Sequence, residues 1–187
     1  SGETPSQTVG PFFALGLTAG QYDYPHTSIA GPNLTTTDTE GTRITVTGQV
    51  FDGDGEPVTD AMIELWQADA SGRYPDEGSN TGFKGFGRAG TGASDTARFT
   101  FQTVKPGSIG QTHAPHINVT VFMRGALNHL FTRIYFPEDG ADHANDSVLS
   151  TVPPDRRATL IAKPDGTNTY RFDIHMQGAQ ETVFFDV

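Results

Sequence analysis

Metal-binding, nucleophilic and acid–base side chains set the first limits on what this sequence can do. Cysteine is absent, which removes thiolate metal sites, iron–sulfur clusters, thiol nucleophiles and any disulfide framework together. A catalytic metal would have to be held by His, carboxylate or phenolate groups. The histidines stand at 26, 113, 116, 129, 143 and 175, and the sole close pair is His113-Ala114-Pro115-His116. Two His three apart on an extended segment with Pro between them point in different directions, and neither His-x-His nor His-Glu-x-x-His occurs. The plain reading of His116 is a hydrogen-bonded residue at a strand start. Gly-x-Ser-x-Gly is missing, so an elbow-type serine nucleophile is not indicated. Carboxylates cluster in turns such as Asp52/Asp54 and Pro137-Glu138-Asp139, which suits solvated loops better than glycosidase chemistry.

The elements that would position any such site read as strands. A period of two sets in at Arg43 with Ile44 and Val46, then Val50-Phe51 runs into the turn Asp52-Gly53-Asp54-Gly55. Further runs follow at Met62–Trp66, Arg98–Val104, Ile117–Met123, Leu130–Phe136, Tyr170–Ile174 and Thr182–Phe185. About seven short strands rich in Val, Ile, Thr and Phe predict an all-β sandwich. One short helix is expected where Pro153-Pro154-Asp155 leads into Arg156–Ala162, with Lys163-Pro164-Asp165-Gly166 as its stop. The Gly-rich stretch Gly78–Gly92 lacks the Lys-Ser/Thr of a phosphate loop and reads as a long mobile loop. Residues 1–42 alternate poorly and carry Phe12, Phe13, Leu15, Leu17, Tyr22 and Tyr24, so they read as an N-terminal arm that must lie against its own core or a partner.

With 187 residues the expectation is a single domain over 1–187. The 22 Gly and 12 Pro favour turns over long helices. Twelve Lys+Arg against 22 Asp+Glu give a net charge of −10, which disfavours nucleic acid and anionic membranes as partners. No apolar stretch approaches the length of a membrane span, and Ser1 is followed by neither a basic nor an apolar leader region. A soluble, cytoplasmic protein is expected.

Six strings in order make a set: Glu3–Phe13, Gly48–Gly53, Ile63–Ala70 with Gly72-Arg73-Tyr74, Thr103–Gly107, Ala114–Asn118 and Tyr170–Ile174. Together they resemble the intradiol ring-cleavage dioxygenases over nearly the whole chain, and the resemblance implies their prealbumin-like β-sandwich. Catalytic members hold a non-haem ferric ion with two tyrosinates and two histidines; phenolate oxygens suit a hard cation. By this resemblance Tyr74 matches the first tyrosine and His116 the first histidine, whereas Ile109 stands for the second tyrosine, Asn118 for the second histidine and His113 for a family arginine. With Ile109 and Asn118 in place of ligands, no iron is expected in this chain, and Tyr74 and His116 are remnants. Such losses mark the non-iron chain of the heteromeric members. The resemblance therefore implies a homologous iron-bearing beta chain as partner, which would hold Fe(III), and a higher-order assembly of the two chains. It also implies O₂-dependent cleavage of the aromatic substrate protocatechuate to 3-carboxy-cis,cis-muconate.

On the same basis Thr8, Val9, Gly10, Pro11 and Arg124 match residues that edge the partner's substrate pocket. Gly10 and Pro11 would let backbone approach a flat ring, and Arg124 would offset the chain's negative charge for a carboxylated substrate. The ordinary role for Arg124 is a salt bridge. Two other classes stay open at this point. One is a stand-alone β-sandwich binding module without catalysis. The other is an autonomous metalloenzyme using Tyr74, His116 and a recruited carboxylate or His113.

Overall fold

The computed structural model describes residues 8–10, 13–23, 28–75 and 82–186. Strands β1 (Arg43–Phe51), β2 (Met62–Gln67), β3 (Phe86–Gly90), β4 (Arg98–Val104), β5 (His116–Phe122), β6 (Leu130–Tyr135), β7 (Lys163–Pro164), β8 (Thr169–Arg171) and β9 (Ile174–His175) form two sheets. One has the order β4-β1-β8-β7, with β9 also on β1; the other has β3-β2-β5-β6. β1 pairs antiparallel with β4 but parallel with β8 and β9, and the second sheet is antiparallel throughout.

Alternation explains the sandwich. Ile44, Val46 and Val50 of β1 and Phe99 and Phe101 of β4 face inward and meet Ile63, Leu65, Ile117, Val119, Val121 and Ile134 from the other sheet. At about 25 cal/mol per Å² of apolar surface, burial of this layer is the main stabilising term. One polar tie crosses it: the buried Gln67 donates from Nε2 to the Val104 carbonyl at 2.9 Å and accepts the Thr103 hydroxyl at 2.7 Å. Gly48 permits a close approach, since a Cβ there would sit 1.8 Å from the Phe172 carbonyl oxygen.

Four sequence expectations need correction. Part of the Gly-rich stretch read as a loop is strand β3, because Gly87 and Ala89 leave room for Leu34: a Cβ at Gly87 would stand 2.4 Å from Leu34 Cδ1. The run at Tyr170–Ile174 breaks into β8 and β9. At the break the Asp173 carboxylate, in place of a carbonyl, takes the Gln49 N–H at 3.1 Å. Thr182–Phe185 is not a strand but makes one isolated bridge, Phe185 to Phe131. The helix expected after Pro153 is a 3-10 turn over Arg157–Leu160, and the short α-helices among the described residues are α1 (Phe13–Leu17) and α2 (Gly140–His143). No helix among the described residues is long and apolar enough to cross a membrane.

Candidate functional site

The outer face of the β3-β2-β5-β6 sheet carries the residues of interest, because β5 alternates. Ile117, Val119 and Val121 go to the core, which sends His116, Asn118, Thr120 and Phe122 outward. The register sets Asn118 between Trp66 on β2 and Arg133 on β6, and His116 beside Tyr135.

Tyr74 reaches this face through a turn. The Asp69 carboxylate accepts the backbone N–H of Ser71 at 2.9 Å and of Arg73 at 3.0 Å, as well as the Ser71 hydroxyl at 2.7 Å. Gly72 has φ +81° and abuts Ser108, where a Cβ would lie 2.0 Å from the carbonyl oxygen. The chain then folds back so that the Tyr74 ring stacks on Trp66 at 5.3 Å and 18°. Asn118 Nδ2 donates to the Tyr74 hydroxyl at 3.0 Å and to the Trp66 carbonyl at 3.1 Å. Trp66 remains 39% exposed.

His116 is 2% exposed. Its Nδ1 lies 2.8 Å from the Ala114 carbonyl, an acceptor only, so Nδ1 carries the proton and donates. Burial pushes its pKa down from 6.5 to about 4, assisted by the positive charge of Arg133. The imidazole is therefore neutral at physiological pH. His113 contacts the His116 ring at 6.1 Å, and the His113 carbonyl accepts the Ile109 N–H at 3.1 Å. Beneath them the fully buried Asp146 accepts the N–H groups of Ala114 (2.8 Å), Val148 (2.9 Å) and Leu149 (2.8 Å) and the Tyr135 hydroxyl (3.0 Å). These bonds hold its carboxyl below the usual range despite burial, while burial raises Tyr135.

Tyr74 and Asn118 are joined by a hydrogen bond, while Ile109, His113 and His116 are linked by a backbone bond and a ring contact. They do not fit a ferric ion. Isoleucine offers no donor atom, and Asn118 turns an amide N–H, not a lone pair, toward the phenol oxygen that a metal would need.

The other candidate residues gather at the far end of β5. Asn118 and Phe122 are four residues apart, about 13 Å at roughly 3.3 Å per residue. Beyond Phe122, Arg124 Nε lies 3.2 Å from Asp60 Oδ2, with the arginine side chain 62% and the aspartate 21% exposed. The next residue, Gly125, donates its N–H to the Thr8 hydroxyl at 2.8 Å. Val9 helps line a small cavity of about 110 Å³ with Phe13, Phe122, Met123, Leu127 and His129. Phe122 contacts the rings of both Phe13 and His129, at 5.6 and 5.4 Å. Gly10 is exposed and faces open space within this chain. Pro11 lies outside the described residues. Thr8, Val9 and Arg124 therefore share one edge, separate from Tyr74 and His116.

The sequence reading missed Asp60, Trp66, Arg133 and Asp146. Trp66 and Arg133 were accessible in principle, since both fall on the outward phase of their strands. Asp60 and Asp146 lie in loops, where alternation carries no signal.

Comparison with known proteins identifies the family. Residues 24–178 match the dioxygenase family. The protocatechuate 3,4-dioxygenase alpha chain of Burkholderia cepacia is 52% identical, covering 99% of this chain and 98% of its own length. The alpha chain from Pseudomonas putida is 44% identical over 98% and 96%. The Burkholderia cepacia beta chain is 34% identical over 76% of this chain and 67% of its own. Among solved structures, the dioxygenase domain of a Streptomyces dioxygenase–carbohydrate-binding fusion superposes with TM-score 0.62 at 23% identity, covering 96% of this chain and all of that one. Catechol 1,2-dioxygenase from Acinetobacter gives 0.60 at 19%, over 82% and 60%. These two share the fold. From the family match and the near full-length identity, this chain belongs to the intradiol dioxygenases.

Proposed function

We propose that this chain is the non-iron alpha subunit of a protocatechuate 3,4-dioxygenase, which completes the substrate pocket of an iron-bearing beta chain. The observation that carries the reading is the Asn118–Tyr74 hydrogen bond at 3.0 Å, in place of a ligand set, in a chain 52% identical to a named alpha chain. A stand-alone binding module leaves that identity unexplained. The 34% identity to a beta chain supports a partner of the same fold.

In this reading the ring-opening chemistry belongs to the partner's non-haem iron, with O₂ as co-substrate and 3-carboxy-cis,cis-muconate as product. This chain contributes a wall. Thr8, Val9, Gly10 and Pro11 would border the aromatic ring, and Arg124 would meet the substrate carboxylate. The −10 net charge repels an anionic substrate at long range, so a local cation at the pocket edge is needed. Several alpha–beta units make up the assembly, and the fold as a single domain with its arm over 1–42 serves that assembly.

The test is co-expression with an iron-bearing beta-type chain. The expected result is a coloured, ring-cleaving complex with iron in proportion to the beta chain, and a colourless alpha chain when expressed alone. Near-stoichiometric iron with a tyrosinate-to-ferric absorption band in the isolated chain would refute the proposal. So would failure of the two chains to co-purify at any salt concentration.

A further inference from the structure

We propose that Asp60 is a positioning residue for Arg124 and thereby sets the preference for a carboxylated ring; this rests on the pocket-edge reading of Arg124 given above. Arg124 lies in the connection between β5 and β6, where Gly125, Leu127, Asn128 and His129 are all exposed. A long side chain on such a loop has many rotamers, and a substrate that must select one binds more weakly for it.

Asp60 removes that freedom from one side. Its own loop is fixed from beneath by Thr91, which is fully buried: the Thr91 hydroxyl donates to the Val58 carbonyl at 2.7 Å and accepts the Ala61 N–H at 3.1 Å. The Thr91 N–H also donates to the Ala61 carbonyl at 3.0 Å. Asp60 is thus held between two anchored neighbours, and its Oδ2 sits 3.2 Å from Arg124 Nε. The Thr8 hydroxyl secures the following residue through the Gly125 N–H at 2.8 Å.

Asp60 lies on the Nε side of the guanidinium as an ion pair without a hydrogen bond, so it biases the orientation of the side chain. Among the described residues neither Nη1 nor Nη2 of Arg124 has a hydrogen-bond partner, so among those residues nothing competes for the edge bearing two N–H groups. That edge matches a carboxylate in a two-point, planar contact. Asp60 has a second effect of opposite sign, because its charge partly neutralises Arg124. Positioning predicts that loss of the Asp60 charge weakens binding of a carboxylated ring, while neutralisation predicts that it strengthens it.

The experiment uses the co-purified complex and follows steady-state ring cleavage of protocatechuate and of catechol, which lacks the carboxylate. An exposed pair of this kind sets the scale, so Asp60→Asn is expected to raise KM for protocatechuate about two- to fivefold. Its kcat and the KM for catechol should stay near wild type. Asp60→Glu should recover part of the loss, and Asp60→Asn combined with Arg124→Ala should be no worse than Arg124→Ala alone. Equal losses on both substrates, additive effects in the double variant, or tighter protocatechuate binding by Asp60→Asn would each overturn the inference. If Arg124→Ala is selective for protocatechuate and Asp60→Asn is silent, the positioning role alone falls. If Arg124→Ala itself does not discriminate the two substrates, the pocket-edge reading falls and this inference with it.

Discussion

Replacing His116 by Asn should remove a large part of the acid sensitivity of the fold. The folded imidazole has its pKa pushed down from 6.5 to about 4, chiefly by burial. Between those two values the unfolded chain binds a proton that the folded chain refuses, so stability falls as pH drops through this window. The loss starts near pH 6.5, the unfolded value, and is complete near pH 4, the folded value. At 1.36 kcal/mol per pKa unit it amounts to about 3 kcal/mol. At 2% exposure the group is screened too little to reduce that figure much. Asparagine can supply a side-chain N–H to the Ala114 carbonyl without titrating, so His116→Asn keeps the local bond. Urea unfolding of both proteins at several pH values from 7.5 to 4 gives the test. Their stabilities should converge on acidification by about 3 kcal/mol relative to the neutral-pH difference. The comparison cancels the other groups that titrate over the same range. Parallel curves would show that His116 protonates in the fold as easily as in the unfolded chain, and the burial argument would be wrong.

Asp146→Ala strips four hydrogen bonds from one buried carboxylate and should cost about 3–5 kcal/mol in chemical unfolding; a loss under about 1 kcal/mol would mean that water replaces the carboxylate. Gly48→Ala places a methyl 1.8 Å from the Phe172 carbonyl and should lower the melting temperature, by about 2–4 kcal/mol of stability; an unchanged melting temperature would refute the close approach of β1 to Phe172. Deletion of residues 1–13 should abolish assembly or ring cleavage while circular dichroism still reports the sandwich. An unfolded truncated chain would instead assign the arm to the intrachain core.

Two-residue alternation made most of the sandwich legible, because Ile44, Val46, Ile117, Val119 and Val121 have no stable place except between the sheets. It failed where the buried face is built from small residues. In β3 the inward positions are Gly87 and Ala89, and the strand exists because Leu34 fills the space above them, a partner 53 positions away that no local window contains. The break between β8 and β9 was hidden for a related reason: the Asp173 side chain substitutes for a ladder carbonyl, and a carboxylate in a β-like run looks the same whether it faces water or the backbone. The site was legible as residue types but not as geometry. That Ile109 and Asn118 cannot complete a ferric site follows from their side chains alone. That Asn118 bonds Tyr74, and that Arg124 pairs with Asp60, depends on loops whose conformations are set by Gly72 at φ +81° and by the buried Thr91.

Tyr74 and His116 carry structural duties that explain their presence without a metal. The Tyr74 ring covers Trp66, and its hydroxyl accepts the Asn118 amide; His116 fills a buried position and satisfies the Ala114 carbonyl. Removing either would leave a polar group unpartnered or apolar surface wet. Their identity is therefore no argument for iron. Asn118 is the informative residue, because its amide N–H occupies the Tyr74 hydroxyl oxygen, the atom a metal would need. A histidine at 118 would break the Tyr74 hydrogen bond and still leave isoleucine at 109, so neither single change yields a four-ligand site. Tyr74 and Asn118 sit at one end of β5 and Arg124 lies beyond the other, about 13 Å from Asn118 to Phe122, so the two ends are physically separate. On the proposed reading, that separation would let a chain without iron contribute to a pocket formed with a partner.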